Sequence, residues 1–241
     1  MLKKYRDWKE EKKRRKAARR QEVGFLRDTF ELFTETLVFV FFVMTFLLQS
    51  FVIPTGSMED TLLIGDHLLV DKISYARFLG RWDRFVFPHV DIERGMIVTF
   101  KSPAEIEKEY VKRVIGMPGE TVRIENKQVF IDGKPLEEPY TFFKDDEVLA
   151  SYRDNFPAYK IPPRHYFCMG DNRDNSFDSR FWGPVHEDLI IGKPWRIYWS
   201  YHSSTQEYLT PGLIHKIKDV FKTVFNFFSK TRWERTIRKI E

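Results

Sequence analysis

Cysteine occurs once in this 241-residue chain, at Cys168, so no intrachain disulfide can staple the fold. That is compatible with an oxidising compartment without arguing for one. No internal repeat or low-complexity tract is present, which removes repeat architectures. Acidic residues are scarce in the first twenty positions, where Asp7, Glu10 and Glu11 stand against six lysines and five arginines. Between Thr36 and Met58 there is no charge at all. What remains is ordinary for a folded domain: 42% hydrophobic and 31% charged residues, net charge +5. A mean hydropathy of −0.43 places most of the chain in water and makes any membrane contact local.

The uncharged run "TLVFVFFVMTFLLQSFVI" is apolar around its whole circumference. A helix rises about 1.5 Å per residue, so about twenty such residues cover the roughly 30 Å hydrocarbon core. The pattern predicts a transmembrane anchor over 32–53, preceded by a basic cytoplasmic segment, 1–31. A cleaved secretory signal would be shorter, about 7–15 apolar residues, and would end in small residues rather than "QSFVIP". The basic block before the span fixes orientation, N-terminus inside and everything after Pro54 outside. It needs no nucleic acid to explain it, since topogenesis and anionic lipid suffice.

After Pro54 short apolar runs alternate with turn residues. "HLLVDKISY", "GMIVTF", "EYVKRVIG", "ETVRIENKQVFIDGKPL", "HYFCMGD" and "IIGKPWRIYWS" read as strands or strand pairs. Turns are expected between Glu125 and Gln128 and at Asp132-Gly133. The fold class is therefore mainly β: an antiparallel domain over 54–204 with a smaller β insertion at about 123–163. In the last segment, 205–241, apolar residues recur at Ile217, Phe221, Val224 and Phe228, flanked by Leu213, Ile214, Val220 and Phe225. Lys216, Lys218 and Lys222 fall largely on the other face, which predicts a basic amphipathic helix. Such a helix is compatible with the bilayer interface or with packing on the domain.

Three segments carry potential chemistry. "FVIPTGSMEDTLLIGD" presents Ser57 just beyond the apolar run, and serine needs a base. His67 is close in sequence but begins a strand leaving the Gly65-Asp66 turn, and no G-x-S-x-G elbow is present; a distant Ser-His-Asp set stays open. "EYVKRVIGMPGE" offers Lys112. On a strand it shares a face with Tyr110 and Val114, opposite Val111, Arg113 and Ile115, and apolar neighbours lower a lysine pKa. "MGDNRDNSFDSRFWGP" is a long polar loop. It fails the calcium pattern because Arg173 takes the third position and no glycine closes the turn. It is either a plain surface loop or a support in which Ser176, Asp178 and Arg180 position an amine.

In this order, behind an N-terminal anchor, these segments together with "RGMIVTF" resemble bacterial type I signal peptidase (leader peptidase) over most of residues 51–200. The resemblance implies a Ser/Lys-dyad serine endopeptidase that removes signal peptides after A-x-A-like residues. It implies Ser57 as nucleophile, Lys112 as general base, and the Ser57 N–H with the Thr55 hydroxyl as oxyanion hole. Ser176 would bond the lysine amine, and Asp178 and Arg180 would brace the loop, with Asp171 and Arg173 structural. Phe51, Ile53, Pro54, Leu62, Tyr110 and Val111 match positions lining shallow substrate pockets. Partners would be signal-peptide-bearing preproteins, the bilayer and, by proximity, the export translocon, at a bacterial cytoplasmic membrane. No metal or cofactor is implied. Asp60 departs from a common proline and Met96 from a common aspartate, which touches turn detail and not mechanism. A non-enzymatic anchored β-domain that binds exported chains, or a self-cleaving Ser-Lys regulator, are the competing readings.

Overall fold

The computed structural model describes residues 2–75, 90–209 and 213–240, with the side chains of 2–5, 7, 16–23, 46, 209 and 213–218 left out of the description. The loop 77–89, which the resemblance leaves uncovered, lies outside the described residues. The chain divides into two units, 1–46 and 47–241. The first is essentially one helix, α1 (Leu2–Phe42), followed by a π-helical turn at Val43–Leu47.

The second unit is built from β1 (Leu48–Val52), β2 (Asp66–Asp71), β3 (Ile97–Lys101), β4 (Glu109–Gly116), β5 (Thr121–Glu125), β6 (Gln128–Ile131), β7 (Lys134–Pro135), β8 (Phe156–Lys160) and β9 (His165–Met169). After it come α2 (Ser179–Trp182), β10 (Val185–His186), β11 (Ile190–Ser200), α3 (Thr205–Leu209), α4 (Leu213–Phe225), α5 (Phe227–Lys230) and β12 (Arg238–Lys239). An eight-stranded sheet has the order β1-β2-β11-β3-β4-β9-β10, with β12 also on β11, and every pairing is antiparallel. A four-stranded sheet, β7-β6-β5-β8, is inserted between β4 and β9. The second unit is dominated by antiparallel sheets, in keeping with the mainly β reading of the sequence. The first strand of the small sheet, β5, starts at Thr121.

The small sheet is explained by its turns. Asn126 (φ 47°) and Lys127 (φ 70°) are both left-handed, as are Asp132 (φ 49°) and Gly133 (φ 78°), the geometry that matches the twist of a two-residue hairpin. Lys127 is an unusual choice there, and its ammonium reaches the Asp174 carboxylate at 3.2 Å. Three apolar clusters hold the unit together. Ile115, Val122, Ile124, Val129, Ile131, Ile161, Phe167 and Met169 join the small sheet to β4 and β9. Ile53, Met58, Leu62, Leu68, Ile97, Ile197 and Ile240 lie under the β1–β2 connection. Val98, Phe100, Val114, Tyr166, Cys168 and Val185 fill the opposite face.

One expectation needs correction. The predicted span over 32–53 does not continue as helix: Leu48–Val52 pair with Asp66–Asp71, Phe51 opposite Leu68 and Val52 opposite His67. These uncharged residues find strand partners in the same domain, and the ladder satisfies their backbone groups. No helix among the described residues is long and apolar enough to cross a membrane. The segment 205–241 carries a helix, α4, over Leu213–Phe225, where an amphipathic helix is expected. After α5 the chain returns to the large sheet, where β12 pairs with β11, Ile240 is buried, and Arg235 bonds Asp66 at 2.6 Å. Asp66 is fully buried and also accepts from Leu63 N and Ser200 Oγ, so the last residues close the turn that follows Ser57. Gly65 (φ 87°) makes that turn possible, since a Cβ there would lie 2.0 Å from the Tyr201 carbonyl oxygen.

Arg235→Ala leaves the Asp66 carboxylate buried without its cation. It should lower unfolding free energy by about 3 kcal/mol, read as a reduced urea midpoint with unchanged slope. A midpoint equal to wild type would show that the tail only rests on the sheet.

Candidate active site

Ser57 sits in a 3₁₀ turn, Gly56–Met58, immediately after β1, and Met58 plugs the apolar cluster beneath it. Lys112 lies on β4, opposite Val98 of β3, and is 2% exposed. Its Nζ is 2.5 Å from Ser57 Oγ. Arg113 points the other way, as strand alternation requires, and forms a two-pronged pair with Asp171 at 2.8 and 2.7 Å. The structure thus brings together a hydroxyl and an amine from segments 55 residues apart.

Burial is what makes this amine reactive. Desolvation pushes the Lys112 pKa down to about 8; Asp178 opposes that, Arg180 adds to it, and Asp171 opposes it. Asp178 does not cancel the effect because its charge is already engaged. Arg180 meets both its oxygens at 2.9 and 2.8 Å, and its Oδ2 also accepts from Gly170 N at 3.1 Å. Burial alone would raise the Asp178 pKa, but the charge and hydrogen bonds of Arg180, and then Lys112, hold it below the usual range. His67 is elsewhere: it stacks on Trp199, 4.7 Å between ring centroids, with its pKa lowered by burial against the opposing charge of Asp66.

The polar loop supports the serine turn from below. Asn172 N donates to the Ser57 carbonyl at 3.2 Å, and Asn172 Nδ2 donates to the Gly56 carbonyl and to Glu59 Oε2, each at 3.0 Å. Thr61 Oγ1 donates to Asp171 Oδ2 at 2.6 Å. The loop's aspartates point at cations, Asp171 at Arg113, Asp174 at Lys127 and Asp178 at Arg180. The small sheet's connection clamps the loop in turn. Glu138 pairs with buried Arg173, and Phe142 exchanges backbone bonds with Asp171 and Arg173. Sequence reading did not single out Asn172 or Glu138. Asn172 stands inside the polar motif, whereas Glu138 carries no local signal.

The other sequence-named residues fall as follows. Thr55 is exposed in extended conformation at the start of the serine turn and makes no side-chain cap bond. Phe51 and Val111 are half-buried against Ile53, Met58 and Leu62, with Leu62 wholly beneath the surface. Tyr110 packs on the opposite cluster, 5.8 Å from Lys112 Nζ to its ring centre, and Pro54 is half-buried. Ser176 Oγ is buried and has no hydrogen-bond partner among the described residues. Around the pair two strand edges are open. β1 has β2 as its only partner strand among the described residues, and β9 pairs with β4 only from Arg113 onward. Gln49 Nε2 reaches Glu109 Oε1 across this gap at 3.4 Å.

The family model for signal peptidase, peptidase S26, matches residues 26–199. Signal peptidase I of Pseudomonas aeruginosa is 34% identical over 219 residues, covering 76% of this chain and 77% of the relative. Signal peptidase I of Pseudomonas fluorescens is 33% identical over 201 residues, 70% and 71% of the two chains. A solved signal peptidase I from Enterococcus faecalis, 28% identical, overlays with a TM-score of 0.37 over 43% of this chain and 97% of the other, too loosely to bear on the fold.

The approach of the polar loop to Ser57 depends on Gly170, where a Cβ would lie 2.3 Å from Ser176 Oγ and 2.4 Å from the Ser57 carbonyl oxygen. Gly170→Ala should slow acylation of Ser57 by a serine-directed reagent about a hundredfold, the scale of a misplacement of about 1 Å. Mass spectrometry of the labelled serine peptide measures it, and an unchanged labelling rate would show that the turn is held by other means.

Proposed function

Because the chain belongs to the signal peptidase family, peptidase S26, we propose that the Ser57–Lys112 pair is the catalytic dyad by which it removes signal peptides from preproteins. The activity is that of signal peptidase I, a serine peptidase. The observation that carries the dyad is the 2.5 Å contact between a buried amine and the serine hydroxyl. Neutral Lys112 takes the Ser57 proton as Oγ bonds to the scissile carbonyl carbon. The resulting lysinium gives that proton to the departing amine as the C–N bond breaks. Water then loses a proton to the now neutral Lys112 and attacks the ester, and Lys112 returns that proton to Ser57 as the acid product leaves. The Ser57 N–H and the Thr55 hydroxyl are assigned to the oxyanion, a donor pair whose loss costs roughly 10²–10³ in turnover per member.

The substrate segment docks extended between the open edge of β1 and the first half of β4, main chain to main chain. Phe51, Pro54, Tyr110 and Val111 form the surface of the shallow pockets, with Ile53 and Leu62 as their floor, which favours alanine-like side chains. Asp178 and Arg180 position the lysine.

The apolar residues of α1 from Leu32 onward attach the chain to a bilayer, and the basic block before them is drawn to anionic headgroups. Supporting this, Leu32, Phe33, Leu37, Val38, Phe39, Val40, Phe41 and Phe42 are all exposed on α1, a surface that water does not tolerate at this size. A serine held near the membrane meets cleavage sites confined there at high effective concentration. Translocon proximity follows from the same confinement.

Lys112→Ala should lower preprotein cleavage by roughly 10²–10⁴, the contribution of a general base, with N-terminal sequencing fixing the cut. Cleavage within a factor of three of wild type would reject the dyad. The base works when neutral, so kcat/KM should rise with pH through about 8, the Lys112 pKa. Asp178 raises that pKa; Asp178→Asn should therefore move the rise to lower pH in whatever fraction remains folded. A shift to higher pH would contradict the electrostatic assignment.

A further inference from the structure

An amphipathic helix in a globular protein turns its apolar side inward. The C-terminal helices do the reverse. From residue 219 of α4 into α5, the half-buried residues among those described are Asp219, Thr223, Asn226 and Lys230, spaced four, three and four apart along one polar stripe. Val220, Phe221, Val224, Phe225 and Phe228 are exposed by 62, 62, 67, 85 and 81%. Lys222 is tied to Glu207 of α3. Phe227 stacks on Trp199 of β11 at 6.0 Å, and Trp233 lies against Phe227 and Phe228 at 5.6 and 6.2 Å. The ridge is therefore fixed to the sheet while its greasy side faces out. Val220 and Val224 also line a cavity of about 470 Å³ floored by His67, Trp199, Tyr201 and Tyr208, so the apolar surface continues under the helix.

Charge selects what covers it. Residues 213–232 carry four lysines and one arginine against one aspartate. Two such segments repel each other, which disfavours a second copy, whereas anionic headgroups attract them. Half-exposed Trp233 has the character of residues that settle at a membrane interface. We propose that α4, α5 and Trp233 form a second lipid-contact element, lying in the interface of an anionic bilayer with Val220, Phe221, Val224, Phe225 and Phe228 at the acyl boundary. This rests on the membrane reading of the run 32–47 and adds a separate attachment point on the β domain itself.

The test uses the full chain in phosphatidylcholine–phosphatidylglycerol vesicles. Phe225→Cys is labelled with an environment-sensitive fluorophore; Cys168 is fully buried and does not compete. Glu147→Cys, exposed in the insertion, is the control. Acyl-chain nitroxide lipid should quench the label at 225 and leave that at 147 unaffected. Protein that floats with vesicles but shows no quenching at 225 overturns the inference and leaves the membrane reading intact; protein that does not float overturns both. A blue shift at 225 that tracks protein concentration without lipid quenching assigns the ridge to self-association and also overturns it. Phe225→Glu with Phe228→Glu should reduce cleavage about fivefold in vesicles, through lost effective concentration, and leave the detergent rate unchanged. An equal loss in detergent would make these residues part of the fold instead.

Discussion

The molecule is organised around keeping one lysine amine dry beside one hydroxyl. An ammonium in an apolar pocket is penalised for its charge, so burial of Lys112 lowers its pKa to about 8. That result depends on the neighbouring carboxylate being neutralised from its far side. Asp178 alone, at full charge, would hold the lysine protonated. The double contact from Arg180 makes the two together a nearly neutral pair, and the lysine senses the difference. Arg180 NH2 also donates to the Arg173 carbonyl, so the cation that tunes the base also fixes the loop's path.

The small sheet is the brace for this arrangement. In sequence it falls between β4, which carries Lys112, and β9, which leads into the polar loop. Its Glu138–Phe142 connection grips Arg173 and the loop backbone. Lys127, in the hairpin turn, reaches Asp174 from the other side. The loop then holds the carbonyls of Gly56 and Ser57 through Asn172. Position is thus passed from a rigid hairpin, through a buried ion-pair network, to the nucleophile. The network is not fully matched: Asn172 Oδ1 and Ser176 Oγ are buried without a hydrogen-bond partner, a cost that its ion pairs must offset.

Much of this was legible in the chain. Strand runs such as "EYVKRVIG" and "IIGKPWRIYWS" fold as strands over the expected residues, because alternating apolar patterning and turn residues agree. The pairing of Ser57 with Lys112 came from the resemblance, with strand alternation explaining why the lysine, and not Arg113, points at the serine. Other features have no local signature. Leu48–Val52 read as the end of a greasy helix because nothing in five uncharged residues says that Asp66–Asp71 will pair with them. The return of residues 231–240 depends on Arg235 finding Asp66, 169 positions away. Ser176, which the resemblance places on the lysine amine, is buried with its Oγ lacking a hydrogen-bond partner.

The central claim is that Lys112 is uncharged in an accessible pH range because it is buried beside Ser57. The direct measurement is an NMR titration of the lysine ¹³Cε and ¹⁵Nζ resonances in labelled protein, with Lys112 assigned by its loss in Lys112→Arg. The account predicts a midpoint near pH 8. A midpoint above about 10, that of a lysine bathed in water, would contradict it.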